Sequence, residues 1–300
     1  FMSLVDDKKR GRFTANKEMV SLIGGMVFSF AMGTIIDHFE AIGNQNGVFI
    51  VCGLSVFGLM LLHSATLIFS KEKPAEESEK ISTGQLIGEL IKDKNLLKVI
   101  LVSVLWNVVN YAATPFYGSY QIKELGFSMT FVSILSAAYA IVRAVFSRPM
   151  GKFADKYSFA SMLNICFSIM LVAFCINIFT VPKNGKFFYT VYYMLNAIGM
   201  AGINSATINL IYDYADKEKR IGAFALKSTF AGFAGFFTTL IVSPLVAYIQ
   251  SCNNTFLGIH LYAQQVVSAI AAVLLIVLIV YLNLVVRKLP KKDAKNNEKR

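Results

Sequence analysis

The chain is poor in the residues that do most enzyme chemistry: its 300 residues include three histidines, one tryptophan and four cysteines. His38, His63 and His260 are far apart, and no HExxH, GxSxG or GxGxxG run occurs. The zinc helices, nucleophile elbows and phosphate cradles built from those patterns therefore have no starting point, and neither an enzyme nor a cofactor is expected. Cys52, Cys166 and Cys175 fall inside apolar stretches and Cys252 lies beside one, without a CxxC pair. They read as small buried hydrophobes, not as metal ligands. Acids are scarce too. Glu18, Asp37 and Asp213 lie near the ends of apolar runs, and none sits in the middle of one. A proton-carrying carboxylate is thus missing from these segments. The net charge of +11 does not indicate nucleic acid, because the basic residues are split among short segments and form no basic domain.

Long apolar runs are abundant. Hydrophobic residues make up 55% of the chain, above the ~45–50% usual for soluble domains. A bilayer core of ~30 Å needs about 20 mostly apolar residues in a helix. Runs of that size lie near 19–37, 47–70, 96–120, 129–148, 159–181, 187–211, 228–250 and 258–286. Each is about twice the ~10 alternating residues of a barrel strand, and a helix satisfies its own backbone in lipid. The expected fold class is all-α: a polytopic bundle of eight transmembrane helices, with the lipid bilayer as partner and a monomeric chain.

Charge then orients the bundle. Of the 29 Lys and Arg residues, 25 fall in the terminal segments and alternate loops on one side, while Lys123, Lys183 and Lys186 fall on the other. Arg143 lies within a run. The positive-inside rule places both termini in the cytoplasm of a cell that carries the protein in its plasma membrane. Nothing before the first run resembles a secretory leader.

DDKKRGRFTANKEM near the start is echoed 210 residues later by DKEKRIGAFALKST, pairing Asp6 with Asp216, Lys9 with Lys219, Arg10 with Arg220, Ala15 with Ala225, Lys17 with Lys227 and Gly25 with Gly235. Both stretches precede the second-to-last run of a six-helix count, and repeated six-helix halves are a recurring transporter design. The spacing places four further helices before Phe1, so the chain is expected to hold the last eight of twelve. Residues 1–70 then end the first half, 71–95 form a cytoplasmic central loop, 96–286 form the second half and 287–300 a cytoplasmic tail. Within the loop, Ile81, Leu86, Ile87, Leu90 and Ile91 recur at helical spacing, as in a helix lying on a surface.

The stretch RPMGKFADKYS separates the fourth and fifth runs. Its Gly151, Ala154, Asp155 and Lys156 resemble the loop signature GxLADRxGRR of the major facilitator superfamily. Phe153 replaces the Leu, Ser158 the Gly, and Phe159 and Ala160 the basic pair. The resemblance implies a secondary active transporter that moves a small-molecule substrate, with or without a coupling ion, by alternating access between two six-helix halves. It also implies that Asp155, with Gly151 and Lys156, latches against the start of a helix in the other half, here the turn that Arg10 and Arg12 open. The GPxxGG cluster of many family antiporters is missing from SLIGGMVFSFAMGTIID.

Polar side chains inside a span are costly in lipid, so their placement marks candidate sites. In the third run Ser103, Asn107, Asn110, Thr114, Tyr117 and Gln121 recur every three or four residues on one face, with Tyr111 beside them. Such a stripe lines a cavity or makes interhelical hydrogen bonds. Pro115 interrupts it and Gly118 follows within a turn, giving a gating hinge or a static kink. Arg143 shares a face with Tyr139 and Ser136 and serves either an anionic group of a ligand or a structural pairing. Tyr193 and Asn196 are further cavity candidates, whereas Tyr189 and Tyr192 fit an interfacial belt. His63 and Lys227 read as structural, and the last run reads as a support facing lipid. A channel or receptor-like membrane protein is the competing reading; it would show a charged ring or a repeated carbonyl loop.

Overall fold

A computed structural model describes residues 10–69, 83–216, 219–256 and 258–290, apart from the side chains of 10–19 and of residues 37, 40, 45, 83 and 256. The charged stretch before Thr83, the tail after Pro290 and the side chains of Arg10 and Arg12 lie outside that description. The chain forms two compact units, Phe1–Ser78 with Met129–Ala140, and Glu79–Ser128 with Ile141–Arg300.

The first unit is built on α1 (Arg10–Ala41) and α2 (Gln45–Ile68). They are joined by a tight turn in which Gly43 takes φ +69°, a backbone conformation that costs a side-chain-bearing residue more than glycine. Asn44 caps α2 by accepting the Gly47 N–H at 2.9 Å. The Phe39 ring lies against Gly47, where a Cβ would stand 2.5 Å from the ring.

In the second unit a short helix α3 (Thr83–Lys92) precedes α4 (Lys94–Lys123). Asp93 caps α4 by accepting the N–H groups of Asn95 and Leu96, each at 3.1 Å. Helix α5 (Met129–Lys156) begins in the first unit, to which Met129–Ala140 belongs, and ends in the second; α6 (Phe159–Ile178), α7 (Gly185–Tyr214), α8 (Arg220–Ser251) and α9 (Ala263–Leu284) follow in the second unit with a short 3-10 turn, Val286–Lys288. Among the described residues, α2 and α4–α9 are long and apolar enough to cross a membrane, while the apolar stretch of α1 is Val20–Ile36. Several boundaries differ from the sequence reading: α1 and α8 begin at Arg10 and Arg220, about two turns before their apolar runs, and two further differences bear on the site. The last helix begins at Ala263, because the chain before it forms a small antiparallel hairpin, β1 (Thr255–Phe256) with β2 (Ile259–His260). Asn253, Asn254 and Gly258 supply the positive φ angles that its turns require. The signature stretch is also not a loop: Gly151–Lys156 forms the end of α5, and the break comes only at Ser158, which caps α6 by accepting the Ser161 N–H at 3.0 Å.

Helices α6 and α7 meet along glycines. A Cβ at Gly202 would stand 2.5 Å from Cys166 Sγ, and one at Gly199 would stand 2.7 Å from Met170 Cγ. In lipid there is little hydrophobic drive between helices, so close approach of this kind supplies the packing energy. Among the described residues many exposed side chains are apolar, Ile68 (80%) and Ile241 (75%) among them. Helix α9 is two-sided: Val267, Ala271, Leu275, Leu278 and Leu282 are buried, while Val273, Ile276, Val277 and Val280 are exposed.

Candidate functional site

The α4 stripe divides into two parts. Asn107, Asn110 and Thr114 are half-buried. Asn107 Nδ2 donates to Ser103 O at 2.9 Å and Thr114 Oγ1 to Asn110 O at 2.7 Å, so both side chains fold back on their own helix. Ser103, Tyr117 and Gln121, which the spacing places on the same face, are buried in helix contacts. The outer part of the stripe is therefore structural, and only its middle remains accessible.

The buried part forms a node whose proton directions can be worked out. The Ser268 hydroxyl donates to Gln264 O at 2.6 Å. Having spent its proton, Ser268 Oγ accepts from Tyr117 OH at 2.8 Å and from Asn177 Nδ2 at 3.2 Å. Around it, carbonyls at the end of α6 receive side-chain donors from two directions, Asn177 O in addition to the Thr180 N–H that it accepts at 3.2 Å. Gln264 Nε2 donates to Asn177 O at 2.9 Å, Gln265 Nε2 to Ile178 O at 2.6 Å and Tyr120 OH to Thr180 O at 3.1 Å. Gln121 Nε2 donates to Tyr189 OH at 2.6 Å. Tyr189 and Tyr192 are thus core residues and not an interfacial belt, with Tyr192 edge-on to Tyr117 at 5.3 Å. Asn196 is buried and donates to Tyr192 OH at 3.4 Å, while the Tyr193 ring stacks on Tyr189 at 5.9 Å. The last helix carries the centre of this node through Gln264, Gln265 and Ser268. Their spacing of i, i+1 and i+4 at the head of an otherwise apolar run was the available signal.

At the α4 break, Tyr111 is 41% exposed and its ring lies on α8, where a Cβ at Gly235 would stand 2.8 Å from Tyr111 Cδ2. Thr239 Oγ1 donates to Tyr111 O at 3.3 Å. In the sequence Gly235 stands out only through its pairing with Gly25 in the repeat, and Thr239 belongs to no polar stripe. On α5, Arg143 is half-buried one turn beyond the half-buried Tyr139, and its carbonyl accepts from Ser147 Oγ at 2.7 Å. Asp155 and Lys156 are exposed, and Lys156 Nζ lies 5.3 Å from the Tyr157 ring centre. The expected contact of Asp155 with the turn beyond Arg10 and Arg12 lies outside the described side chains. Among the described residues no group of three or more His, Cys, Asp and Glu is placed to hold a metal ion.

The structure is similar to that of the Escherichia coli fucose:proton symporter FucP, solved as a point variant, with a TM-score of 0.57 and 12% identity over 91% of this chain and 67% of that one. At that identity the likeness concerns the fold. A search of curated protein sequences gave no match. The model of the Major Facilitator Superfamily matches residues 108–300, which takes in most of α4 and all of α5–α9. With that match over more than half its length, and with the fold in agreement, the chain belongs to the Major Facilitator Superfamily of membrane transporters.

Proposed function

We propose that the chain is part of a secondary active transporter that carries a small solute by alternating access, with the half-buried middle of α4 lining the path. The observation that carries this reading is the row Asn107, Asn110 and Thr114 beside Pro115, in a helix whose Tyr117, Tyr120 and Gln121 are already committed to neighbours. Amides and a hydroxyl at mid-span offer both donors and acceptors to a polar solute. Tyr139 and Arg143, and Tyr193 with Asn196, are proposed as further contributors, Arg143 for an anionic group. The charge distribution supports a cytoplasmic location for both ends of the chain. Asp155, with Gly151 and Lys156, is proposed to latch the cytoplasmic side through the helix start that holds Arg10 and Arg12.

The test is uptake by the complete protein in proteoliposomes, using solutes chosen by a thermal-shift panel of sugars, amino acids and organic anions. Asn107→Ala, Asn110→Ala and Arg143→Ala should each lower uptake while insertion stays normal. Wild-type uptake in all three removes the site. Asp155→Asn should change labelling of a cytoplasmic-side cysteine probe, and unchanged labelling rejects the latch. A steady, ungated conductance would favour the channel reading.

A further inference from the structure

We propose that Thr239 is a positioning residue for the α4 face that carries Asn107, Asn110 and Thr114: its hydroxyl stands in for the backbone hydrogen bond that Pro115 deletes, and so fixes the bend of α4 against α8. The functional consequence rests on the transporter reading above; the structural part stands on α4 and α8 alone.

In an unbroken helix the N–H of residue 115 would close on the carbonyl of residue 111. Proline has no N–H, so the Tyr111 carbonyl loses its partner within α4. That is the carbonyl Thr239 Oγ1 reaches, at 3.3 Å. The contact is not what a threonine in an apolar helix does by default. Of the three threonines in α8, Thr229 donates back to Ala225 O at 3.0 Å and Thr238 to Ala234 O at 2.7 Å, the usual local arrangement. Thr239 instead donates across to another helix.

One turn earlier, Gly235 leaves its backbone bare under the Tyr111 ring, with no room for a Cβ. Residue 111 is therefore held by α8 at two points, its ring and its carbonyl. It lies between Asn110 and Thr114 in sequence, so any rotation of α4 at residue 111 turns the polar row as well. Beyond the break, α4 is tied to α9 and α7 through Tyr117 and Gln121; before it, Tyr281 OH donates to Lys98 O at 2.9 Å. Both ends of α4 are anchored, and the bend between them is set where Thr239 binds.

Hydrogen–deuterium exchange of the backbone amides of 112–121, measured on the complete protein in lipid nanodiscs, tests the clamp without a substrate. Thr239→Val keeps the shape and removes the donor, and exchange in this segment should rise about three- to tenfold. Thr239→Ser should restore the wild-type rate, and Thr238→Val should leave it unchanged. In a Pro115→Ala background the restored N–H takes the Tyr111 carbonyl, so Thr239→Val should have no further effect. An unchanged rate in Thr239→Val, or the same rise with and without Pro115, overturns the clamp. Should Thr239→Val fail to insert, Gly235→Ala displaces the Tyr111 ring and must raise exchange in the same segment, or the clamp is rejected. Uptake of a solute carried by wild type should fall about threefold or more in Thr239→Val and be normal in Thr239→Ser. Raised exchange with unchanged uptake overturns the positioning role. If wild type carries no solute in the panel, the transporter reading fails and exchange alone judges the clamp.

Discussion

Ser268 takes part in three hydrogen bonds, and their directions rank the residues around it. Ser268→Ala removes the acceptor of two buried donors and the donor to Gln264 O. Tyr117→Phe removes one donor only. Single bonds of this kind in membranes contribute about 0.6–2 kcal/mol, so Ser268→Ala should destabilise more than Tyr117→Phe. The double variant should cost less than the sum of the two, because they share a bond. Reversible unfolding in mixed micelles reads the order; a larger loss for Tyr117→Phe would contradict these proton directions. Gly202→Val should cost about 1–3 kcal/mol by forcing α7 away from Cys166, and Cys166→Ala should recover part of it. The Gly202–Cys166 contact does not stand out in the sequence. The polar row on α4 was legible from its period of three and four, but a period says which face a residue is on and not what covers that face. Tyr117 and Gln121 follow the period as well as Asn110 does, and only the position of α7 and α9 separates them.

Helix α3 docks on α8 through one ion pair and two leucines. Lys219 Nζ lies 2.6 Å from Glu89 Oε2, and Leu86 and Leu90 press on Gly222, where a Cβ would stand 2.8 Å from Leu86 Cδ2. The ion pair is partly exposed, with side chains 29% and 47% accessible, so it contributes up to about 1 kcal/mol. Leu90 is buried. Burying a leucine contributes about 1.5–3 kcal/mol, so the apolar contact decides the docking. Leu90→Ala should therefore speed trypsin cleavage at Lys92 and Lys94 more than Glu89→Gln, and raising salt should have little effect. The opposite order would make the ion pair the main tie. The helical spacing of Leu86, Ile87, Leu90 and Ile91 was readable in the sequence, but its partner Gly222 was not, since a residue without a side chain carries no hydrophobic signal. Helix ends were misread for a related reason. The polar residues of GKFADK mark where α5 leaves an apolar setting, and the helix itself continues to Lys156.

At the scale of the molecule, the apolar surface is turned outward and the ordering of side-chain costs follows from that. Truncating an exposed residue on the outer side of the two-sided helix α9, such as Val273 or Val277, exchanges one acyl neighbour for another and should leave stability within about 0.5 kcal/mol. Leu163→Ala, at a fully buried position, should cost about 2–5 kcal/mol through the cavity it leaves. Unfolding in bicelles measures both, and equal costs would mean that the exposed faces are packed against protein. The helical type followed from run length, because the bilayer imposes a length that composition alone reveals; of the eight expected spans seven are long and apolar enough among the described residues, and α1 offers only Val20–Ile36. The pairing of α6 with α7 and of α4 with α8 did not follow, because it depends on glycines and on single hydroxyls scattered through otherwise uniform apolar sequence.

The caps on α6 also impose an order on synthesis. Asn177 O and Ile178 O receive their donors from Gln264 and Gln265, each 87 residues further along the chain. While the ribosome is still making α7 and α8, Asn177 O has only the local Thr180 N–H and Ile178 O lacks its amide donor. The node closes only when the head of the last helix emerges. A nascent chain halted before Ala263 thus has α6 closed by its own backbone at Phe179 and Thr180 but without either glutamine that ties its end to the last helix.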